Sequence, residues 1–164
     1  MRIYPYDRSA VVAYARTWAY GRNPLFYDYG KLGGDCTNFA SQCVYAGSQV
    51  MNFTPTYGWY YIDANNKAPA WTGVTYFYNF MTRSEESIGP AAVETSIDRM
   101  IPGDVIQLSF NEETWDHTLV VVRVTGQSSA KIYVTAHSYD ANDRPLSTYQ
   151  YRKIRFLHFV GVRK

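Results

Sequence analysis

The chain has 164 residues, of which 46% are hydrophobic and 18% are charged, so it can bury a real core and is not a disordered tail. Sixteen Lys and Arg against fourteen Asp and Glu leave a net charge of +2, which is too small to indicate a nucleic-acid or anionic-membrane partner. No apolar run approaches the roughly 18 residues that a membrane-spanning helix needs. We therefore expect one monomeric domain over residues 1–164 that does not span a membrane.

The first half of the chain predicts helices. Asp7 precedes apolar residues at helical spacing, which predicts a helix from about Asp7 to Tyr20 that Asn23-Pro24 ends. Asp35 is a plausible N-cap of a second helix that runs to Gly47, and residues 71–81 predict a short third helix.

The second half predicts an antiparallel sheet, because segments rich in Val, Ile, Tyr, Thr and Phe alternate with polar turns. The predicted strands are Asp104–Phe110, His117–Val124, Lys131–His137 and Ser147–Val162. Helices followed by a meander of strands indicate the α+β class.

The two cysteines, Cys36 and Cys43, are predicted to be free thiols. Seven residues of helix separate them by about 10 Å, whereas a disulfide tolerates a Cα separation of only about 7 Å. Cys36 would lie in the first turn of its helix, where the helix dipole and free N–H groups lower a thiol pKa and can bind an oxyanion. The alternative is a small buried cysteine that packs the start of the helix. Cys43 lies on the apolar stripe and is expected in the core.

A nucleophilic cysteine needs a base, and the chain has three histidines. If residues 125–129 form a hairpin loop, residues whose numbers sum to 254 face each other, and His117 and His137 form such a pair. Their Cβ atoms would then be about 5 Å apart, with one ring as the base and the other orienting it. A one-residue shift of the loop would abolish this pairing. His158 is expected to be structural.

The alternative is a zinc site, in which the Cys36 thiol and the two imidazoles of His117 and His137 bind the metal together with Asp116 and Asp140. No two of them have the close spacing of a zinc-ligand pair, so we expect neither a metal nor another cofactor.

The segment Gly34–Cys43, GDCTNFASQC, resembles the signature of the bacterial putative amidase domain family. Residues 6–24, Pro102-Gly103-Asp104, His117-Thr118 and Ala136-His137-Ser138 follow in that family's order, so the resemblance covers nearly the whole chain. More distantly, the pattern is similar to the NlpC/P60 cell-wall peptidases.

The distant resemblance implies a papain-like fold with a nucleophile helix packed on an antiparallel β-sheet. It also implies Cys36 as nucleophile, His117 as base and His137 as the orienting third residue. If the hairpin loop is longer than five residues, Asp140 is the reserve candidate for orienting His117. Thr37-Asn38 replaces the Ser-Gly that follows the NlpC/P60 cysteine, so the substrate of that family cannot be transferred.

These observations predict a cysteine amidase or peptidase that works through an acyl-thioester, on a peptide or peptidoglycan-like substrate. The resemblance implies an extracellular or cell-envelope location, although no secretory leader is visible at Met1. A non-catalytic wall- or glycan-binding module and an acyl transferase are the alternatives. Four aromatic residues are candidates for lining the cleft, with core packing as the alternative for each: Tyr57, Trp59, Trp71 and Trp115.

Overall fold

The computed structural model describes residues 1–164, which form four α-helices and nine β-strands. The helices are α1 (Arg8–Trp18), α2 (Cys36–Ser48), α3 (Pro69–Thr72) and α4 (Val74–Met81). The strands are β1 (Ile3–Tyr4), β2 (Tyr61–Asp63), β3 (Asn66–Lys67), β4 (Gly89–Thr95), β5 (Val105–Ser109), β6 (His117–Val124), β7 (Ile132–Ala136), β8 (Ala141–Pro145) and β9 (Lys153–Arg163). None of the helices has the length and hydrophobicity needed to cross a membrane.

Seven of the strands form one antiparallel sheet, in which β9 pairs with β1 and β5 and also with β4. From β5 the sheet continues through β6 and β7 to β8 at the far edge. The helices cover one face of this sheet, and short 3-10 turns cover the other. Strand alternation divides the apolar side chains between the two faces: Val120 and Val122 join the core under the helices, whereas Leu119 and Val121 join the second core. The predicted α+β class is confirmed.

Helices α1 and α2 pack closely because a glycine lies at their contact. A Cβ atom added to Gly47 would lie 2.5 Å from Val11 Cγ2 and 2.7 Å from the carbonyl oxygen of Asp7. The sequence predicts that Gly47 ends α2, but Gly47 lies inside the helix, where its lack of a side chain allows the close packing. The helix ends at Ser48, and the next residue, Gln49, caps it in the left-handed conformation.

The predicted third helix is two helices, because Gly73 adopts an extended conformation between α3 and α4. Three strands of the main sheet, β1, β4 and β8, fall where no strand was predicted. Residues 89–95, between the predicted third helix and the predicted sheet, form the edge strand β4, and residues 141–145, between the last two predicted strands, form the edge strand β8.

Asp104 follows Pro102-Gly103 and is fully buried at the centre of a polar cluster. Its carboxylate accepts hydrogen bonds from Arg8 at 2.8 Å, from His158 Nδ1 at 2.9 Å and from two backbone N–H groups. This cluster ties the start of α1 to β9, so the structural role predicted for His158 agrees with its contacts.

Candidate active site

A cleft of about 540 Å³ opens at the N-terminus of α2, beside the start of β6. Cys36, His117 and the residue that precedes His117, Asp116, all border it. The other residues that line it come from the loop before α2 and from two sheet loops: Arg22, Gly30, Gly33, Gly34, Phe110, Ser138, Tyr139 and Asp140.

Cys36 is the first residue of α2 and is only 7% exposed. Its Sγ lies 3.7 Å from Thr37 Oγ1 and 4.0 Å from the carbonyl oxygen of Asp116. Burial raises the pKa of the thiol, against the opposing effect of hydrogen bonds from the Thr118 backbone and from Thr37. The predicted lowering of the Cys36 pKa is therefore wrong, because desolvation outweighs the helix terminus. Cys43 is fully buried, and both cysteines are free, as predicted.

His117 is the first residue of β6, is 4% exposed, and lies near the rings of Phe110 and Tyr149. Burial and, to a smaller extent, the charge of Arg144 lower its pKa to about 4, against the weaker opposing effect of Asp116. The ring is therefore neutral at physiological pH. Its Nε2 atom is buried and has no hydrogen-bond partner. No hydrogen bond joins His117 to the Cys36 thiol in this resting arrangement.

His137 does not face His117, so the predicted pairing is wrong. The loop is two residues longer than assumed, since Val124 pairs with Ile132, and the register then shifts between Val121 and Arg123. Beyond that shift Val120 pairs with Thr135, which places residues 117 and 137 on opposite faces of the sheet.

The ring of His137 instead lies under the helices. Its Nδ1 is 2.6 Å from Asp35 Oδ2, its Nε2 is 2.8 Å from the carbonyl oxygen of Trp18, and it stacks on Phe39 at a centroid distance of 3.8 Å. Both ring nitrogens are thus engaged, and neither contacts His117.

Asp140, the reserve candidate for orienting His117, borders the cleft but pairs with another residue. Its two carboxylate oxygens accept hydrogen bonds from Arg22 at 3.0 and 3.1 Å. Arg22 itself was not singled out from the sequence, and only its place in the folded chain brings it to the cleft. The carboxylate of Asp116 accepts from Thr114 and from the backbone of Phe110.

None of the four candidate aromatic residues borders this cleft. Trp59 and Trp71 are fully buried beneath α2, where their indole N–H groups donate to Ser41 and Asn38. Trp115 packs against the cations of Lys153 and Arg155, and Tyr57 lines a separate cleft. The prediction that these four residues line the cleft beside Cys36 is wrong.

The aromatic residues at the cleft are Phe110 and Tyr139. Tyr139 is 89% exposed, and it and Ser138 both have positive φ angles, 66° and 59°. Two successive non-glycine residues in this conformation are unusual and cost backbone energy. The sequence offers no local signal for this feature beyond the position of the two residues after His137.

The motif around Cys36 has a structural explanation residue by residue. Its polar side chains join α2 to the sheet and to the tryptophans beneath it. These contacts are Thr37 with Thr118 at 2.8 Å, Asn38 with Trp71 at 3.0 Å, Ser41 with Trp59 at 3.0 Å, and Gln42 with Tyr14.

Comparison with known proteins agrees with this motif. A family model described as a putative amidase domain matches residues 5–160. An uncharacterized protein of Bacillus subtilis (strain 168), YhbB, is 30% identical over 145 residues, which cover 87% of this chain and 45% of that protein. This chain thus spans less than half the length of that relative. No solved structure matches this chain. The chain belongs to the putative amidase domain family.

Proposed function

We propose that the protein is a cysteine-dependent amide hydrolase in which Cys36 is the nucleophile and His117 is the base. One observation carries the proposal: Cys36 and His117 border the same cleft, whereas His137 and His158 are held by the carboxylates of Asp35 and Asp104. His117 is the histidine whose ring remains free to move a proton at this site.

Before substrate binds, the Cys36 thiol and the His117 imidazole are both neutral. Burial raises the thiol pKa of Cys36 and lowers the imidazole pKa of His117, so neither carries charge at neutral pH. Catalysis then requires the ring to come within hydrogen-bond reach of Sγ when substrate fills the cleft. As the S–C bond forms, His117 accepts the thiol proton.

The remaining steps return that proton. The imidazolium protonates the leaving amine as the C–N bond breaks, which leaves an acyl-thioester on Cys36. A water molecule, deprotonated by His117, attacks the thioester. The S–C bond breaks, the carboxylic acid leaves, and the proton goes back to the thiolate. The N–H of Cys36 contributes to stabilising the oxyanion in both halves.

The substrate class proposed here is a peptide or a cell-wall amide outside the cell. The family description supports an amide bond as the target. The order of Asp-Cys, Pro-Gly-Asp and two histidines, which resembles that of the NlpC/P60 peptidases, supports an amide within a peptide but not the particular substrate of those enzymes. The exposed Tyr139 gives the cleft an aromatic surface for an extended substrate.

The test is to incubate the protein with purified peptidoglycan and with a mixture of short peptides, and to identify released fragments by mass spectrometry. We expect new amino and carboxyl ends in equal number with the parent protein, and none with Cys36→Ala. Cys43→Ala, in the same helix but in the core, is the matched control and should retain activity. Equal release by Cys36→Ala would refute cysteine catalysis. Binding to peptidoglycan without any cleavage would favour the non-catalytic module.

A further inference from the structure

Two helices of this protein begin after an aspartate, and the two aspartates behave differently. Asp7, before α1, caps its helix in the usual way by accepting a hydrogen bond from the N–H of Ala10 at 3.1 Å. The carboxylate of Asp35, before α2, accepts no hydrogen bond from a backbone N–H group in the first turn of its helix. No side chain accepts from the N–H groups of Cys36, Thr37 or Asn38.

The carboxylate of Asp35 instead contacts three other donors, one of which is the side chain of Asn38 in that first turn. Oδ1 accepts from the N–H of Tyr29 at 2.9 Å and from Asn38 Nδ2 at 2.8 Å. Oδ2 lies 2.6 Å from His137 Nδ1. The side chains of Asp35 and His137 are both 1% exposed, so water does not compete for these contacts.

The contacts of His137 also determine where its protons lie. Nε2 faces the carbonyl oxygen of Trp18, which can only accept, so Nε2 carries a proton. Nδ1 shares a proton with the Asp35 carboxylate. The Arg22 guanidinium, 3.2 Å from Nε2, therefore does not donate to it. A ring arranged in this way has no lone pair available to serve as a base, but it can hold a carboxylate in place.

We propose that Asp35 and His137 form a positioning pair that keeps the carboxylate next to the nucleophile off the N-terminus of α2. The N–H groups of the first turn then remain free to stabilise negative charge on Cys36 Sγ and on the oxygen of the tetrahedral intermediate. The second role rests on the proposed amide hydrolase function, whereas the first concerns only the thiolate. His137 is thus a positioning residue for the helix terminus and not for His117.

The test compares the alkylation of Cys36 by neutral iodoacetamide and by anionic iodoacetate at one pH, with the modified peptide quantified by mass spectrometry. The ratio of the two rate constants reports the electric field at the sulfur and cancels changes in thiol exposure. In His137→Gln we expect the iodoacetate-to-iodoacetamide ratio to fall at least about fivefold. A unit charge about 4 Å away is worth about 1 kcal/mol even in bulk water, which is this factor.

Adding Asp35→Ala to His137→Gln should restore the ratio, because alanine can neither cap the helix nor carry charge. Asp7→Ala, the matched change at the other helix, should leave the ratio at the parent value. If His137→Gln does not fold, His137→Phe keeps the stacking on Phe39 and removes both N–H donors, and the same fall is expected. An unchanged ratio in the folded variant, or no restoration by Asp35→Ala, would overturn the proposal.

Alkylation involves no amide hydrolysis, so the two proposals fail separately. A ratio that behaves as expected in a protein without amidase activity would refute the proposed function alone. If the protein is an active amidase but the iodoacetate-to-iodoacetamide ratio is the same in His137→Gln as in the parent, the positioning pair alone is refuted.

Discussion

Replacement of His117 by Phe should remove most of the loss of stability that the protein shows between neutral and mildly acidic pH. The pKa of the buried ring is lowered from 6.5 to about 4. Between these values the unfolded chain binds a proton on this residue that the folded chain does not. Acid therefore favours unfolding in this window, and stability rises as the pH rises.

The size of the effect follows from the two pKa values. Their difference, at 1.36 kcal/mol per pKa unit, is worth about 3 kcal/mol when the pH has fallen below both. About 2 kcal/mol of this should already be lost at pH 5, because the unfolded residue is then almost fully protonated and the folded residue is not.

The measurement is urea unfolding of the parent protein and of His117→Phe at several pH values from 5 to 8. Carboxylates titrate in both proteins, so their contributions to the unfolding free energy cancel when the two proteins are compared. Phe retains the ring beside Phe110 and Tyr149 and cannot bind a proton. We expect the difference in unfolding free energy to change by about 2 kcal/mol in favour of the variant between pH 8 and pH 5. Parallel curves for the two proteins would refute the buried, neutral state of His117.

Three further predictions concern packing, a buried hydroxyl and the thiols. Gly47→Ala should lower the free energy of unfolding, measured in urea, by at least about 2 kcal/mol, because its Cβ would overlap α1. Gly126→Ala should lower it much less, because the added Cβ would meet only the flexible side chain of a lysine. Tyr149→Phe should be neutral or stabilising, because the buried hydroxyl has no partner; a clear loss of stability would contradict this. Peptide mapping after brief iodoacetamide treatment should find label on Cys36 and little on the fully buried Cys43; equal labelling would refute the difference in accessibility.

Local sequence predicted the elements whose own side chains specify them. Helices α1 and α2 were placed within about two residues because an aspartate followed by apolar residues at helical spacing marks each of them. The edge strand β8 was missed because its sequence, ANDRP, carries turn residues and no β-branched side chain. It becomes a strand only by pairing with β7, and an edge position tolerates its polar and proline residues.

The candidate site was predictable only in part, for a related reason. The position of Cys36 follows from local capping signals. The relation of His117 to His137 depends instead on the register between β6 and β7, which shifts at an irregularity between Val121 and Arg123. The sign of the Cys36 pKa shift depends on burial, which no spacing rule reports. The partnership of Asp35 with His137 joins residues that are 102 positions apart.

The pairing of β9 has a consequence for how the domain folds. This strand is made after β1, β4 and β5, yet it is the strand with which all three pair. During synthesis β1 and β4 have no strand of the sheet to pair with until β9 is made, so the sheet cannot form progressively from its first strand. A fold dominated by such distant pairings has high contact order and is expected to fold slowly, in a step that needs the whole domain. Until β9 joins them, the edges of the earlier strands stay open to other chains, so incomplete chains are expected to aggregate more readily than the finished domain.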